Sequence, residues 1–311
     1  MKRTLLGGLL LLLVFSGVMA ALLRQPREEY REDQIRLLAC IINPNNRYYW
    51  EEVQAGIEKA DEEFGCDTRI AIFSRYDEAE HLRVLEETGF YHLDGIITIG
   101  APSEPAIDKV IGQRVKEGIP VALLDTDSPE SGRTFYIGTD NRKAGRDAAE
   151  WVLGQAKEKV QALVIITGLS DANQKERLEG FREALEEAGG SVAEVYAYRQ
   201  DKQSFVAYLD EFFEGNTSVN AVFCAEASST GALGLYLEGR GKREDFWSVG
   251  FDDVPPTGRL IEEGILGASM VQRAQEMGYL AVKSIVGYLT GEDTQAGAIY
   301  TGTVLESMDG A

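Results

Sequence analysis

The sequence predicts a protein of the α/β class, built from two doubly wound parallel-sheet domains. Three observations carry this prediction. The chain has 311 residues, and at roughly 150 residues per domain this length suggests about two domains. Short, continuous apolar runs recur along it, as they do in strands that are buried on both faces of a parallel sheet. Amphipathic segments separate these runs, and alternating strands and helices form layered α/β folds.

The apolar runs predict the strands. They lie at 37–42, 69–73, 95–99, 121–125, 162–167, 193–198, 221–224, 246–250 and 268–271. A further strand is predicted at 135–140, because it follows 121–125 with no helical pattern between them. We expect the chain to change domain there and to return near Gln272. Asp140 and Asn141 can cap the helix that follows this extra strand.

The segments between the strands have the spacing of helices with one buried stripe. Trp50, Val53 and Ile57 step by three and four residues along the first of them. The same spacing recurs over 178–185 and 205–212. Such stripes face a sheet and leave the opposite side of each helix in water.

The charge of the chain argues against nucleic acid and against an anionic membrane surface as partners. It carries 51 acidic and 31 basic residues, a formal net charge of −20. Binding to a phosphate backbone or to anionic lipid needs clustered Lys and Arg instead. Hydrophobic residues make up 44% of the chain, enough apolar material for two sizeable cores.

Catalytic, cofactor and metal motifs are missing from the sequence. Neither His81 nor His92 stands beside a candidate nucleophile, so a Ser-His-Asp arrangement is not predicted. No phosphate-binding glycine motif and no metal-ligand spacing are present. We therefore expect no enzymatic activity, no cofactor and no metal. The three cysteines, Cys40, Cys66 and Cys224, fit buried thiols, and a Cys40–Cys66 disulfide stays open as an alternative.

The N-terminus has the pattern of an export signal. Lys2 and Arg3 precede a long apolar run, and a positive segment before an apolar core is typical of a signal peptide. The run is also about as long as a membrane-spanning helix, roughly 20 residues. We therefore expect 1–23 to be a signal peptide or a membrane anchor and 24–34 to be a polar tether. In both cases the globular part begins near Ile35 and lies outside the cytoplasm.

Polar and aromatic residues follow the predicted strands, at the strand ends where open α/β sheets bind ligands. Planar acceptors and donors suit hydroxyl groups, and aromatic rings pack on the C–H faces of a sugar ring. Trp50 also fits a core position, and Asp125 and Asp252 can cap the helices that follow them. Their common position at strand ends favours a sugar site. The candidate residues are Arg47, Tyr49, Trp50, Asp125, Arg177, Glu226, Asp252 and Gln272.

In this pattern the sequence resembles the type I periplasmic sugar-binding proteins. That family includes the ribose- and galactose-binding proteins and the ligand domain of Lac-repressor-like regulators. The resemblance runs from about Ile35 to the C-terminus and rests on the order and spacing of short motifs. These are Tyr49-Trp50 followed by Val53 and Gly56; 123–125; 136–141 with Gly145; Glu176-Arg177 with Gly180-Phe181; 249–253; and Gln272 with Gly278.

The resemblance implies two lobes that are joined by three crossover segments and hold the sugar between them. The N-terminal lobe would comprise 35–139 plus 273–297, and the C-terminal lobe 140–272 plus 298–311. By position, Tyr49 and Trp50 resemble the family's stacking aromatics. Four further residues resemble its hydroxyl-binding groups, namely Asp125, Arg177, Asp252 and Gln272.

Three positions depart from the family's pattern. Arg47 and Glu226 stand where relatives often have Asn, and Gln200 stands where the ribose-type pattern has a third aromatic. A buried Glu226 needs a donor or a cation as partner. An amino sugar or an Arg47–Glu226 pair would each supply one. We include Arg47 and Glu226 among the predicted ligand-binding residues, and Gln200 predicts a more polar cleft.

The family resemblance implies binding rather than catalysis. We expect an extracytoplasmic monomer that takes up a monosaccharide-like ligand as the substrate-binding subunit of a sugar ABC importer. The alternative is an extracellular sensor that partners a membrane histidine kinase or a chemoreceptor. A transcriptional regulator is disfavoured, because an apolar run and an acidic tether stand where a basic helix-turn-helix segment would precede the first lobe. An enzyme on the same scaffold is disfavoured by the missing nucleophile and base.

Overall fold

The computed structural model describes residues 34–42, 47–73, 76–168, 172–216, 218–240, 246–292 and 295–308, with the backbone alone at Ile42. From Ile35 onward the chain forms one unit. The predicted leader, 1–23, and the predicted tether except for Gln34 lie outside the described residues. None of the described helices combines the length and the hydropathy that a membrane crossing needs.

Two six-stranded sheets organise the described chain. The first has the order β11-β5-β4-β3-β1-β2 and the second β12-β10-β9-β8-β6-β7. All neighbouring strands run parallel except β10 and β12, which are antiparallel. The strands are β1 Arg36–Ile42, β2 Asp67–Phe73, β3 Gly95–Thr98, β4 Val121–Leu124, β5 Phe135–Thr139, β6 Gln161–Ile166, β7 Ser191–Ala197, β8 Ala221–Cys224, β9 Trp247–Phe251, β10 Ala268–Gln272, β11 Gly297–Thr301 and β12 Thr303–Ser307.

Helices connect the strands and cover both sheets. We call the first sheet with α1, α2, α3 and α9 the N-terminal lobe, and the second sheet with α4 to α8 the C-terminal lobe. The helices are α1 Arg47–Phe64, α2 Glu78–Glu87, α3 Pro105–Lys116, α4 Asn141–Gln155, α5 Ala172–Glu187, α6 Lys202–Gly215, α7 Ala227–Arg240, α8 Thr257–Glu262 and α9 Ala274–Thr290, with single 3-10 turns at Thr88–Phe90 and Pro129–Ser131.

Each sheet has a core on both of its faces, as predicted from its apolar strands. In β4, Ala122 and Leu124 pack into the core under α1 and α9, whereas Val121 and Leu123 pack into the core under α2 and α3. The strand β8 alternates in the same way between α4 and α5 on one face and α6, α7 and α8 on the other. The predicted class, two doubly wound parallel-sheet lobes, is confirmed.

The chain passes between the lobes three times. It crosses after β5, where Asp140 caps α4 by accepting a 3.0 Å hydrogen bond from the backbone N–H of Lys143. It returns after Gln272 and crosses again at Gly302. A hydrogen bond of 2.7 Å from Thr139 Oγ1 to Gln272 Oε1 ties the first two crossings together.

The third crossing lies later than expected. The sequence placed it between 297 and 298, but β11 continues to Thr301 in parallel register with β5 of the N-terminal lobe. Residues 298–301 therefore belong to the first sheet, and only β12 joins the second. Both strands are edge strands, and β11 alternates between covered and exposed residues. Such strands carry no continuous apolar run, so the sequence did not reveal them.

The Cys40–Cys66 disulfide, which the sequence left as an alternative, is not formed. Cys40 carries a buried thiol in β1. Burial raises the pKa of this thiol to about 12, so it stays protonated near neutral pH. Cys40 therefore behaves as an apolar core residue.

Candidate functional site

A cavity of about 240 Å³ lies between the lobes, at the carboxyl ends of strands from both sheets. We call it the inner cavity. It gathers seven of the eight candidate residues, namely Tyr49, Trp50, Asp125, Arg177, Glu226, Asp252 and Gln272. The eighth, Arg47, lines a neighbouring cavity instead. Contact between any of them and a ligand stays a prediction.

Asp125 forms the centre of the N-terminal wall. It follows β4, and its carboxylate accepts a 2.8 Å hydrogen bond from Tyr49 Oη. The Tyr49 hydroxyl also lies 3.3 Å from the sulfur of Met277. The backbone carbonyl of Asp125 accepts a 2.9 Å bond from Tyr136 Oη. Burial, followed by the charge of Asp125, raises the pKa of Tyr49 well above its usual value, so the phenol remains a donor.

Trp50 contributes both to the core and to the cavity. Its ring stands at 88° to that of Tyr49, with the centroids 5.0 Å apart, an edge-to-face arrangement that aromatic pairs favour. It belongs to the core under α1 and α9, and it also lines the inner cavity. The two interpretations that the sequence allowed for Trp50 are therefore compatible.

Arg177 of α5 is a buried cation whose guanidinium is held on every side. It donates 2.8 Å from Nε to Asn141 Oδ1 and 3.0 Å from Nη1 to the carbonyl of Ala225. Nη2 lies 3.3 Å from Gln272 Oε1. The guanidinium also lies 3.6 Å from the centroid of the Phe251 ring, a cation–π contact that is strong when desolvated. These partners fix the guanidinium plane at the cavity wall.

Asp252 and Gln272 complete the C-terminal wall. Gln272 Nε2 donates to Asp252 Oδ1 at 2.9 Å, while Gln272 Oε1 accepts from Thr139 and Arg177. Burial raises the pKa of Asp252 to about 6; Arg177 and Gln272 oppose this rise and the charge of Asp125 adds to it. Asp252 therefore changes its ionisation within the physiological range of pH.

The hydrogen-bond partners of Glu226 differ from the Arg47 partner that the sequence suggested as one possibility. Its carboxylate accepts from the backbone N–H groups of Ser228 at 2.7 Å and Ser229 at 2.6 Å, and from Ser228 Oγ at 3.0 Å. Arg47 pairs with Glu51, one helical turn along α1, with 2.6 Å between Nε and Oε1. The Arg47–Glu226 pair is thus not formed, because the N-terminus of α7 supplies the donors that Glu226 needs.

Asn173 and Gln174 also line the cavity, and the sequence analysis missed them. Asn173 Nδ2 donates to the backbone carbonyl of Asp125 at 3.2 Å, a hydrogen bond from one lobe to the other. Gln174 exchanges two 2.7 Å hydrogen bonds with Thr167, at the end of β6. Both residues precede Arg177 by three or four positions, so the helical repeat could have placed them on the same face.

Three residues that line the inner cavity have left-handed backbone conformations. Asp125 has φ 66°, Gln200 φ 60° and Asp252 φ 62°, and among the described residues other than glycine no further positive φ occurs. Such conformations persist only where the surrounding structure enforces them, and they cluster at functional sites. The alternative interpretation, in which Asp125 and Asp252 cap the following helices, is wrong, because Ser128 and Pro256 are the N-caps there. Asp125 and Asp252 turn the chain sharply at the strand ends.

The groups assembled in the inner cavity are mainly hydrogen-bonding groups. Carboxylates, an arginine, amides and one aromatic wall surround the cavity, without a nucleophile beside a histidine. Across the part of the chain that the structure describes, no group of three or more His, Cys, Asp or Glu could hold a metal ion.

The comparisons with known proteins agree with this fold. Residues 39–293 match the family model described as periplasmic binding protein domain. The chain belongs to the periplasmic binding protein family. Its fold is that of the type I sugar-binding members, and the family resemblance noted in the sequence is confirmed.

Relatives of this periplasmic binding protein match it over most of its length. Ribose import binding protein RbsB of Escherichia coli (strain K12) is 25% identical over 262 residues, which cover 83% of this chain and 86% of the relative. The structure of GanP, a glucose-galactose binding protein from Geobacillus stearothermophilus, superposes with a TM-score of 0.79 at 28% identity, covering 89% of this chain and 99% of that one. The XylFII-LytSN complex contains a chain of the same fold, with a TM-score of 0.76, 24% identity and coverage of 89% and 99%.

Proposed function

We propose that this protein binds one sugar unit in the inner cavity and serves outside the cytoplasm as the substrate-binding subunit of a sugar ABC importer. One observation carries the proposal. The carboxylates of Asp125, Glu226 and Asp252, the Arg177 guanidinium and the Gln272 amide line one small cavity beside the Trp50 ring. Sugar hydroxyls both donate and accept, and this set offers groups of both kinds.

The fixed partners of these side chains support hydroxyl recognition. Arg177 and Gln272 are held by neighbours before any ligand arrives, so little side-chain freedom is lost on binding. The carboxylates of Asp125 and Asp252 accept hydroxyl protons, which gives stronger hydrogen bonds than neutral acceptors do. A cavity of about 240 Å³ fits one sugar ring better than an extended chain.

The two walls suit a binding protein that closes around its ligand. Tyr49 and Asp125 belong to the N-terminal lobe, whereas Arg177, Asp252 and Gln272 belong to the C-terminal lobe or its edge. A ligand that contacts both walls stabilises the closed arrangement over the open one. The closed lobes would then be the form that a membrane permease recognises.

The relatives favour pentoses and hexoses as ligands. Their names give ribose import to RbsB and glucose-galactose binding to GanP. We extend the sugar class, but no particular sugar, to this chain. The Glu226 carboxylate accepts hydrogen bonds from the backbone N–H groups at the N-terminus of α7, which favours neutral sugars over amino sugars.

Titration calorimetry against pentoses, hexoses, amino sugars and polyols tests the binding. We expect at least one neutral sugar to bind and the Asp252→Asn variant to bind it at least about tenfold more weakly, since a charge-assisted hydrogen bond is lost. Asp253→Asn is the matched control, because Asp253 is the exposed neighbour in sequence. Folded protein that gives no heat with any member of the panel would refute the sugar assignment.

The second candidate role is sensing for a membrane histidine kinase or a chemoreceptor. A protein of the same fold, XylFII, is assembled with LytSN in its solved structure. Uptake of radiolabelled ligand in cells that lack the gene separates the two roles. Loss of uptake supports the importer, whereas normal uptake with a lost transcriptional or motility response supports the sensor.

The location and oligomeric state complete the proposal. We propose an extracytoplasmic monomer, with 1–23 as its signal peptide or anchor. Cell fractionation with N-terminal sequencing of the recovered protein tests the location and shows whether the leader is cleaved. Light scattering of the purified protein tests the monomer. Recovery in the cytoplasm, or a stable dimer, would contradict the corresponding part.

A further inference from the structure

A second cavity of about 470 Å³ adjoins the inner cavity, and we call it the outer cavity. The two share a wall made of Gln200, Ala227 and Ser228. Arg47 and Tyr48, at the start of α1, border the outer cavity from the N-terminal lobe. The opposite side is formed by residues of the C-terminal lobe. Space for a larger ligand therefore lies directly beside the predicted sugar position.

Tyr48 gives this outer cavity an aromatic surface. Its side chain is 51% exposed, whereas the following Tyr49 is 8% exposed and bonds to Asp125 in the inner cavity. Consecutive residues of a helix point in directions about 100° apart, so α1 offers one tyrosine to each cavity. An exposed aromatic ring beside polar groups is the kind of surface on which a sugar ring packs.

The polar groups of the outer cavity suit hydroxyl oxygens. Arg47, Lys202 and Tyr48 are donors, and Gln200 and Ser228 supply both donors and acceptors. None of the described residues that line it is an Asp or a Glu, although the chain has a net charge of −20. Sugar oxygens can therefore accept hydrogen bonds there without facing a carboxylate.

A third cavity, of about 780 Å³, is larger but fits this role less well. It lies beside Asp252 and Gln272, and its lining carries charges of both signs. Two of its cations already have carboxylate partners: Arg259 pairs with Glu263 at 2.8 Å, and the closest N–O distance between Arg273 and Glu276 is 3.6 Å. A ligand that uses these two cations would compete with their carboxylates. In the outer cavity Arg47 also has a carboxylate partner, Glu51, whereas the described ion pairs include none with Lys202.

Gln200 marks the junction of the inner and outer cavities. It lines both of them, and it has a left-handed backbone, φ 60°. A residue other than glycine keeps this conformation only when its surroundings enforce it. The residue between the two cavities is thus an amide rather than a bulky aromatic ring.

We propose that the outer cavity is a second sugar subsite, so that the ligand is a disaccharide whose second unit packs on Tyr48. The inference rests on the proposed function, because the first unit would occupy the inner cavity. It goes beyond that function by assigning the ligand's size and the residues that select it. Gln200 is then the residue that leaves room for the glycosidic link.

Gly231 of α7 offers a direct way to fill the outer cavity alone. It lines this cavity but not the inner one. A β-carbon there would meet only Val254 Cγ2, at 3.7 Å, so a side chain can begin at this position without moving backbone. Gly239 is the matched control, because it lies on the same helix with open space around it. Gly→Leu is favourable for helix propensity at both positions.

The experiment is titration calorimetry of wild type, Gly231→Leu and Gly239→Leu. The probes are D-glucose with cellobiose and maltose, D-galactose with lactose and melibiose, and D-xylose with xylobiose. We expect one disaccharide to bind wild type at least about tenfold more tightly than its component sugars do. Gly231→Leu should remove this gain while leaving the affinity for the monosaccharide within about twofold, and Gly239→Leu should retain both affinities.

Each contrary outcome identifies what fails. Monosaccharides that bind as tightly as every disaccharide would overturn the second subsite and leave the proposed function standing. A tight disaccharide that Gly231→Leu does not weaken would place the second unit elsewhere. Equal weakening of both ligands by Gly231→Leu would show damage to the inner cavity and also overturn the inference. Folded wild type that binds no saccharide would remove the proposed function itself.

Discussion

The N-terminal and C-terminal lobes share one architecture but contribute different chemistry. Their sheets have the same strand order, and β4 corresponds to β9. After these strands, Asp125 and Asp252 adopt the same left-handed conformation. In each lobe one pair of helices crosses at glycines: α1 and α9 in the first, α5 and α4 in the second. The scaffold is thus repeated even though the sequence shows no repeat.

The helix crossings identify which residues correspond. The carbonyl of Val53 lies against Gly278, and the carbonyl of Arg177 lies against Gly145 in the same way. Val53 and Arg177 are therefore equivalent positions, and so are Tyr49 and Asn173, which both contact Asp125. The N-terminal lobe places an apolar residue where the C-terminal lobe places a buried cation. The N-terminal wall of the cleft therefore combines aromatic rings with the Asp125 carboxylate, whereas the C-terminal wall carries the buried Arg177 cation.

The largest predicted effect tests whether the two helix pairs, α1 with α9 and α4 with α5, are packed equivalently. A β-carbon at Gly56 would collide with the carbonyl oxygen of Gln275, and one at Gly180 with the carbonyl oxygen of Arg142. Backbone atoms cannot yield without separating the helices. We expect Gly56→Val and Gly180→Val each to lower the free energy of unfolding by about 3 kcal/mol or more, as measured by denaturant titration.

Gly154→Val is the control for these two variants. Gly154 lies on α4, where an added β-carbon meets no other atom within 4 Å. We expect its free energy of unfolding to stay within about 0.5 kcal/mol of wild type. If only one of the two crossing variants were destabilised, the crossings would differ in packing and the equivalence of the lobes would fail.

The crossings also show why some of the fold was visible in the sequence. Gly56, Gly145, Gly180 and Gly278 all belong to the motifs that carried the family resemblance, and each is needed for close approach of two helices. The central strands were predicted because both of their faces are buried. The edge strand β11 was missed because half of its side chains face solvent.

The next prediction tests the chemical difference at equivalent positions. We expect Arg177→Met to weaken sugar binding at least about 30-fold, because Asp252 loses its cation and the ligand loses a fixed donor. Val53→Ala, at the matching position, should lower the free energy of unfolding by about 1–3 kcal/mol and leave the affinity within about threefold. Calorimetry and denaturation on both variants check this. Equal losses of affinity would show that the two walls do not differ in function.

The third prediction concerns pH, through Asp252 of the C-terminal wall. Its pKa is about 6 in the folded protein against 3.8 ordinarily. Between these values the unfolded chain loses its proton first, so rising pH favours unfolding. We expect Asp252 to reduce the free energy of unfolding by up to about 3 kcal/mol from pH 4 to pH 8. Asp252→Asn should therefore gain stability relative to wild type at pH 8 but not at pH 4.

Sugar affinity should rise with pH, whereas the free energy of unfolding should fall. The ionised Asp252 carboxylate is the better acceptor for a hydroxyl, so affinity should fall as pH drops below about 6. Asp253→Asn should follow wild type in both measurements, since Asp253 is exposed. A wild-type stability and affinity that do not change between pH 5 and 8 would contradict the role of Asp252.

The candidate site could be predicted only in part, for reasons that its residues make clear. Asp125 and Asp252 were found because the end of a strand is readable from the sequence. The partners of Glu226 could not be predicted. They are backbone N–H groups of the next helix rather than a side chain that the sequence could suggest. Asn173 was missed because its partner is the backbone carbonyl of Asp125, far away in the chain.

The smallest predicted effect separates the equivalent residues Tyr49 and Asn173. Tyr49 bonds to Asp125 within the N-terminal lobe, whereas Asn173 reaches Asp125 from the C-terminal lobe. Each hydrogen bond contributes about 1 kcal/mol. We expect Tyr49→Phe to lower the free energy of unfolding by that amount at any ligand concentration. Asn173→Ala should instead weaken sugar binding about fivefold, because its bond joins the two lobes and therefore favours the closed arrangement.

Denaturation and calorimetry on the two variants distinguish these outcomes. If Asn173→Ala lowers the free energy of unfolding as Tyr49→Phe does and leaves affinity unchanged, its bond to Asp125 stabilises the fold and not closure. The contrast matters because both side chains touch the same aspartate from equivalent helices. Tyr49 and Asn173 contact different atoms of Asp125, but both atoms belong to the N-terminal lobe. A difference between the two variants in stability and affinity would then come from the lobe that carries the substituted residue.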